Sequence, residues 1–565
     1  MDIFKRPYLE SEKEFHFSYD LDTLKKVNIF PYLIMDGGAY YVIKDVLGEN
    51  WNGDMIAEKV MDGSFFEKWS RNGIFDWDFY QKGYANSKVE APMEIHVWIN
   101  RLYFLIPLAS KFLKTGDESY AEKWYEYFCS WINAYPYERK NDSDEAVQEI
   151  WKEMQVAWRL IGIVYSAAML AESKFLTKEK WEIIYDFMRL HAKHLLGEGS
   201  GHIKDENAHN HVLQIGVALL YVGCLYPEFE DSEKYKQAGK RIVEIQLKRA
   251  LFADGGSLED SPSYSLFIAR LYVECELLLK KNGEEGLEGL IESLQKQYEW
   301  VHQMSPESDN TLLINDSYNT SVKREIALIN ELIPISVSPK KSVIFADSKC
   351  AALRNDNFEL FIDAMDHTQW HQHAGRPNFV VYYKGKPIVA DSGCCSYDNH
   401  GMHQYLWGEW AHNTLCLSKQ AHPDKSLKPV DNIEIINSDE KNGLIEFLVK
   451  GERENIAFSR IRKFELLNEG IKITDTVEVD EEMNMELLTH IAALDVDFNR
   501  EKRVCTVNST FGEDIEISLN GDVDDCYIEY HPIVDEKTNF TYSPVLTADK
   551  KGKKAQFITE IRINQ

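Results

Sequence analysis

Long apolar runs are missing from this 565-residue chain: no stretch would span a bilayer, and the opening MDIFKRPYLESEKEF lacks the apolar core of a signal peptide. Cytoplasmic residence without membrane attachment is therefore expected, or a periplasmic or secreted location if a leader has been removed. Positive charge is also scarce. Lys and Arg number 63 against 92 Asp and Glu, for a formal net charge of -29. That excludes generalised binding to nucleic acid or acidic membranes, while a local basic pocket could still take an anionic substrate. Cysteines are few and unpatterned. Nine of them, an odd number without framework spacing, read as free thiols in a reducing compartment. Prolines number only 16, and neither a strict repeat nor a low-complexity segment occurs.

What is present is length, and two textures. The chain exceeds one ordinary hydrophobic core, so two or three domains are expected. From Pro92 to Ser305 apolar residues recur at helical spacing. The segment MEIHVWINRLYFLIPLASKFLKTGDESYAEKWYEYFCSWINAYP reads as a helix, a TGD break at Thr115 to Asp117, and a second helix. Further helices are predicted over 145–172, 178–196, 207–225, 232–252, 262–281 and 287–304. Long helices with short links make antiparallel pairs, which curl into an α/α array or toroid. Beyond ELIPISVSPKKS the pattern changes to short alternating runs such as FELFIDA, NFVVYY, IKITDTVEV and AQFITEIRI, the mark of an antiparallel sandwich. The expected fold is thus an α+β chain, with a helical toroid over 1–335 and an antiparallel β-sandwich over 336–565.

Three constellations could carry chemistry. In IKDENAHNHVLQ, Asp205 or Asn207 can cap the following helix, and Asn207 and His211 share a face near its start. Asn210 and His211 then stand where backbone N–H groups and the dipole favour an anion such as a carboxylate. In DGGSLEDSPSY, Gly255 and Gly256 end one helix, Ser261 caps the next, Pro262 is its first residue and Tyr264 lies in its first turn. The third is histidine-rich: His367, His371, His373, His400, His403 and His412 are six of the chain's 17 histidines. If HTQWHQHAGRPNF is locally extended, His371 and His373 share one face with Gln372 on the other. His373, Asp391 and His412 match zinc in ligand type and number.

Taken in order, NHVLQ, DGGSLEDSPSY, HQHAGRPNF, VADSG and AHNTL resemble the heparinase II/III and related alginate-lyase families of polysaccharide lyases. INRLYFLIPLASKFLKTGD and WKEMQVAWRL are similar to that superfamily's helical domain. The resemblance implies an incomplete α/α toroid, then an antiparallel β-sandwich, with the active site in the cleft between them. It implies a catalytic Asn-His pair at Asn210 and His211, a catalytic tyrosine at Tyr264 and a catalytic histidine at His371. His373, Asp391 and His412 match its metal ligands, a zinc site of structural kind. Tyr405, Arg376 and Asn207 are the expected substrate-binding residues. Departures include AGRPNF after the His-x-His, Gln214 where relatives often have Glu, and WGEWAHNT.

The implied activity is β-elimination from a uronate-containing oligo- or polysaccharide, heparin or heparan sulfate first, alginate, chondroitin or hyaluronan as alternatives. Homo-oligomerisation is compatible with this reading. Two rivals remain. One is a hydrolase using the zinc or the carboxylates of Glu259 and Asp260; the other is a carbohydrate-binding relative without turnover.

Overall fold

The computed structural model describes residues 3–20, 53–79, 93–366, 371–395, 397, 400–420, 425, 428–493, 495–508, 513–535 and 539–564. They fall into two compact units. One comprises Met1–Ala250, Phe267–Glu292 and Ser396–Asn399, the other Leu251–Leu266, Ser293–Cys395 and His400–Gln565. The change of texture at 335/336 lies between helix Val322–Leu332 and strand Val343–Phe345. Packing nevertheless groups 251–266 and 293–335 with the strands, so Tyr264 belongs to the sheet-bearing unit.

The first unit is helical. Gly116 adopts φ 70° and closes helix Leu105–Thr115 through its N–H to Phe112 O at 2.7 Å; Asp117 then accepts from the Ser119 N–H at 3.0 Å and opens Glu118–Ala134. The TGD break thus works by local capping. Helices Glu153–Leu170 and Asn210–Leu225 are buried on nearly every face, whereas Ser232–Arg249 buries one stripe, as inner and outer helices of layered pairs do. A Cβ on Gly223 would collide with the Lys236 backbone, and one on Gly239 with that of Leu220, so this antiparallel pair meets backbone to backbone.

Two helix limits differ from expectation. The helix read over 145–172 is two, Glu145–Ile150 and Glu153–Leu170. Lys178–Asp205 runs nine residues past the expected end, because Gly199 packs against Ile242 and Ile215 instead of breaking the helix. Asp205 therefore ends one helix and does not cap the next. Glu206 turns the chain at φ 48°, His209 is the N-cap, and Asn207 lies outside helix Asn210–Leu225.

The second unit carries two antiparallel sheets. Strands Val343–Phe345, Cys350–Arg354, Phe358–Asp363, Asn378–Tyr383 and Lys386–Val389 pair consecutively in one of them. The other, ten-stranded, is built on Gly470–His490 paired with Phe540–Ile563, with a register shift between Glu478 and Met483. Alternate residues of Leu444–Arg453 and Ile456–Leu467 point inward. Leu353, Leu360 and Val381 of the smaller sheet meet Phe447, Ile473 and Phe557 of the larger in one core, as a sandwich requires. Helix Val322–Leu332 precedes the strands and His400–Trp407 interrupts them, and neither is evident from the sequence pattern. All nine cysteines are free, and no helix among the described residues is long and apolar enough to cross a membrane.

Candidate active site

In the sheet-bearing unit, Ser261 accepts from the Tyr264 N–H at 3.5 Å and helix Pro262–Lys281 starts as its Ser-Pro signal predicts. Gly255 and Gly256 do not end the preceding helix, which stops at Arg249. They form the turn of a small bridge between Leu251 and Ser257, in which Gly255 takes φ 98° against the Lys296 carbonyl. The Tyr264 ring stacks on the imidazole of His371, with centroids 3.8 Å apart and planes at 26°. Tyr318 donates its hydroxyl to the Tyr264 oxygen at 3.4 Å. Burial, then the neighbouring Tyr264, pushes the Tyr318 phenol well above its ordinary pKa, so it stays a donor.

Residues 371–377 are irregular, not extended, and the strand begins only at Asn378. His371 and His373 nevertheless converge, because both bind one carboxylate. Asp316 is 2.9 Å from His371 Nδ1 through one oxygen and 2.9 Å from His373 Nε2 through the other; Trp407 Nε1 donates to the second at 3.2 Å. Burial opposes ionisation of Asp316, yet the two imidazoles outweigh it and hold the carboxyl well below the usual range. Burial likewise works against a charged His371, while Asp316 and Glu259 raise its pKa. Glu259 Oε2 lies 3.5 Å from His371 Nε2, so that ring is held between two carboxylates.

Asn315 completes the scaffold. Its side-chain oxygen accepts from the His373 N–H at 3.0 Å and its amide donates to Asp260 O at 2.8 Å and Asp363 Oδ2 at 3.0 Å. Asn315 and Asp260 both adopt left-handed φ, 53° and 50°, a conformation their short polar side chains tolerate. Asp316, Tyr318 and Trp407 were not singled out from the sequence. The only local signal for the first two is the polar NDSYN run just before helix Val322–Leu332.

His373, Asp391 and His412 also come together, each offering a ligand atom within 4.8 Å of the others. All three are buried. His412 Nδ1 is 2.6 Å from Asp391 Oδ2, and Asn378 Nδ2 donates to the same oxygen at 2.6 Å. Among the described residues, His373 Nδ1 and His412 Nε2 are buried without a hydrogen-bond partner. Orphaned imidazole nitrogens beside a carboxylate, with Asp316 fixing the outer nitrogen of His373, fit a divalent metal of the zinc kind.

The other expected residues divide. Asn210 opens helix Asn210–Leu225 in the first unit, and its Oδ1 accepts from Gln214 Nε2 at 3.2 Å. Gln214 therefore serves Asn210 and turns that amide's nitrogen into its donor end. His211 Nδ1 lies 3.8 Å from Glu153 Oε1, and this neighbour, outweighing burial, brings the Glu153 carboxyl down to about 2. Asn207 Nδ2 rests against His202 Nδ1 at 3.1 Å.

Arg376, expected at the substrate, sits in the framework. It is 7% exposed and is held by Asp260, with Asp363 at 3.5 Å and Asn315 Oδ1 at 3.2 Å. A guanidinium buried against carboxylates belongs to the framework. The Tyr405 hydroxyl lies 2.9 Å from His531 Nδ1, and its ring packs near Leu406, Ala411 and Val534. His403 is buried on Trp407, with ring centroids 4.1 Å apart, and burial brings its pKa down to about 4. His367 lies outside the described residues, as does the side chain of His400.

The family model described as heparinase II/III N-terminus matches residues 38–338, and the one described as heparinase II/III-like, C-terminal matches 338–557. The chain belongs to the heparinase II/III family. Its curated relatives include a heparin-sulfate lyase of Bacteroides stercoris, 21% identical over 440 residues, covering 68% of this chain and 65% of that protein. A heparin-sulfate lyase of Bacteroides thetaiotaomicron is 23% identical over 406 residues, 62% of this chain and 54% of that one. The chain thus spans less than two thirds of the length of these relatives.

Among solved structures, a crystal structure of heparinase III superposes with a TM-score of 0.76 at 17% identity, covering 100% of this chain and 87% of that one. The heparan sulfate lyase of Pedobacter heparinus gives 0.63 at 15%, covering 96% and 87%. At these identities the likeness is one of fold, an incomplete α/α toroid followed by an antiparallel β-sandwich. The two textures of the sequence correspond to it.

Proposed function

We propose that this protein is a lyase that cleaves uronate-containing glycosaminoglycans, heparan sulfate foremost, by β-elimination. The observation that carries the reading is the stacked Tyr264–His371 pair, held by Asp316 and Tyr318, in a chain of this family. The relatives' names supply the substrate class; alginate, chondroitin and hyaluronan present the same uronate.

Elimination must break the C5–H bond beside a carboxylate, and an ionised carboxylate makes that proton very weakly acidic. Donors aimed at the carboxylate oxygens mask the charge; Asn210 and His371 are proposed for this. Tyr264, ionised as the phenolate, takes the C5 proton on its oxygen, the electron pair becomes the C4–C5 double bond, and the C4–O bond breaks. Tyr264 then returns its proton to the departing oxygen. Tyr318, donating to that phenol oxygen, is the partner a transient phenolate needs. His211 is proposed as base where the C5 proton faces the other way.

His373, Asp391 and His412 are proposed to hold zinc, whose chemistry there is structural: it anchors the loop that carries His371. A carboxylate hydrolase fits less well, because Asp260 is bound by Arg376 and by Gln372 Nε2 at 3.2 Å, which occupies it.

Incubation with a panel of uronate oligosaccharides tests the proposal. A lyase yields near-ultraviolet absorbance from the unsaturated uronate. Reducing ends without that absorbance would establish a hydrolase, and neither product a binding protein.

A further inference from the structure

Buried arginines of the sheet-bearing unit sit against carboxylates. Arg376 has Asp260, Arg354 has Glu359 at 3.1 Å, and Arg453 has Glu409 and Asp431, each at 2.8 Å. Lys428 differs from them. It is part-buried, yet among the described residues it has neither an ion pair nor a hydrogen bond. Its Nζ sits over the Trp407 ring, 4.3 Å from the centroid. Trp407 is also the indole that donates to Asp316, the carboxylate that orients His371. Lys428 thus stands one aromatic ring away from the proposed reaction centre.

A lysine in this setting has a demand for an anion. Burial lowers its pKa to about 8, Asp316 and Asp260 raise it, and Arg376 opposes them. In turn its charge acts on His371 and His403. An indole face attracts the ammonium and leaves its N–H donors for an incoming oxyanion.

We infer that Lys428 receives an anionic group of the substrate, a uronate carboxylate or a sulfate ester, beside His371. The inference takes its substrate class from the lyase reading. It adds a contact on a segment that the family motifs do not include, and it makes Lys428 a determinant of affinity. A carboxylate and a sulfate present the same oxyanion chemistry to the ammonium, and the substrate panel separates them.

Lys428→Met keeps the length and apolar stem over Trp407 but removes the charge; Lys428→Arg keeps the charge. Calorimetric binding of sulfated and unsulfated heparan-type tetrasaccharides is measured in a Tyr264→Phe background, so that no turnover intervenes. Losing one charge-assisted contact weakens binding of the Met variant by about tenfold, and the Arg variant recovers most of it. Loss confined to sulfated ligands identifies a sulfate; equal loss on both identifies the carboxylate.

Thermal unfolding of the Met variant should match that of its parent, because the side chain forms no ion pair among the described residues to lose. Binding of both ligands within twofold of the parent overturns the inference, as does a parent that binds neither ligand. Failure of the lyase reading shows separately, as a wild-type protein that binds these ligands and releases no unsaturated product.

Discussion

The phenol ring of Tyr264 and the imidazole of His371 lie face against face, 3.8 Å between centroids, although they stand 107 positions apart in the chain. The stack holds the ring that is to take a proton against the ring that is to meet the carboxylate. Removing only the Tyr264 oxygen therefore leaves the packing intact. Tyr264→Phe should lower kcat for unsaturated-product formation by about 10³-fold, within the range of general acid–base catalysis, while substrate binding persists. Turnover within tenfold of wild type would exclude Tyr264 as the base.

Asp316 couples His371 to the proposed metal ligand His373, so one variant should disturb two readouts. In Asp316→Asn, elimination should fall by about 10- to 100-fold and metal content should drop with it. His373→Ala should release metal outright and lower the Tm, as chelation of the wild-type protein should. Elemental analysis and thermal unfolding report both without reference to activity. Full metal content in His373→Ala would remove it from the ligand set.

Arg376 is tested by stability instead of affinity. Arg376→Met leaves Asp260 buried without its guanidinium, and breaking a buried pair in this way costs about 3–5 kcal/mol. Burial already pushes the Asp260 carboxyl well up, against the pull of Arg376. Urea denaturation should show the loss, with KM little changed in the folded fraction. A stable variant with a raised KM would restore Arg376 as a substrate contact.

Glu153 gives a pH signature. Its carboxyl sits at about 2 in the folded protein against an ordinary 4.5, with His211 the largest cause. A folded pKa below the unfolded one stabilises the protein above about pH 4.5, and that contribution is lost as the pH falls from 4.5 towards 2. Glu153→Gln should flatten the slope of unfolding free energy across that window, lowering stability at neutral pH and leaving it closer to unchanged near pH 2. An identical slope in both proteins would show that the His211 contact does not govern this carboxyl.

What was legible in the sequence was what neighbouring residues decide between themselves. Gly116 and Asp117 stop one helix and cap the next within three residues, and Ser261 with Pro262 starts the helix of Tyr264, so such signals need no distant partner. Burial alternation along Ile456–Leu467 is likewise written in period two. The grouping of His373, Asp391 and His412 could be read as well from their residue types. The expected end of the helix at 196 was wrong where packing decides: helix Lys178–Asp205 continues through Gly199, which packs against Ile242.

By itself, then, the chain's order of residues determined the two textures, the helix starts and the inventory of imidazoles and phenols, because capping, turn chemistry and apolar period act over a few residues. Only tertiary structure decided which of those groups meet. Asp316 finds His371 and His373 across 55 and 57 positions, and Arg376 finds Asp260 across a longer gap still. Lys428 reaches Trp407 from a segment that carries no motif. Pairings at that range are set by how helices and sheets pack, since a charge has no local preference for one distant partner over another until burial removes the water that would otherwise serve it.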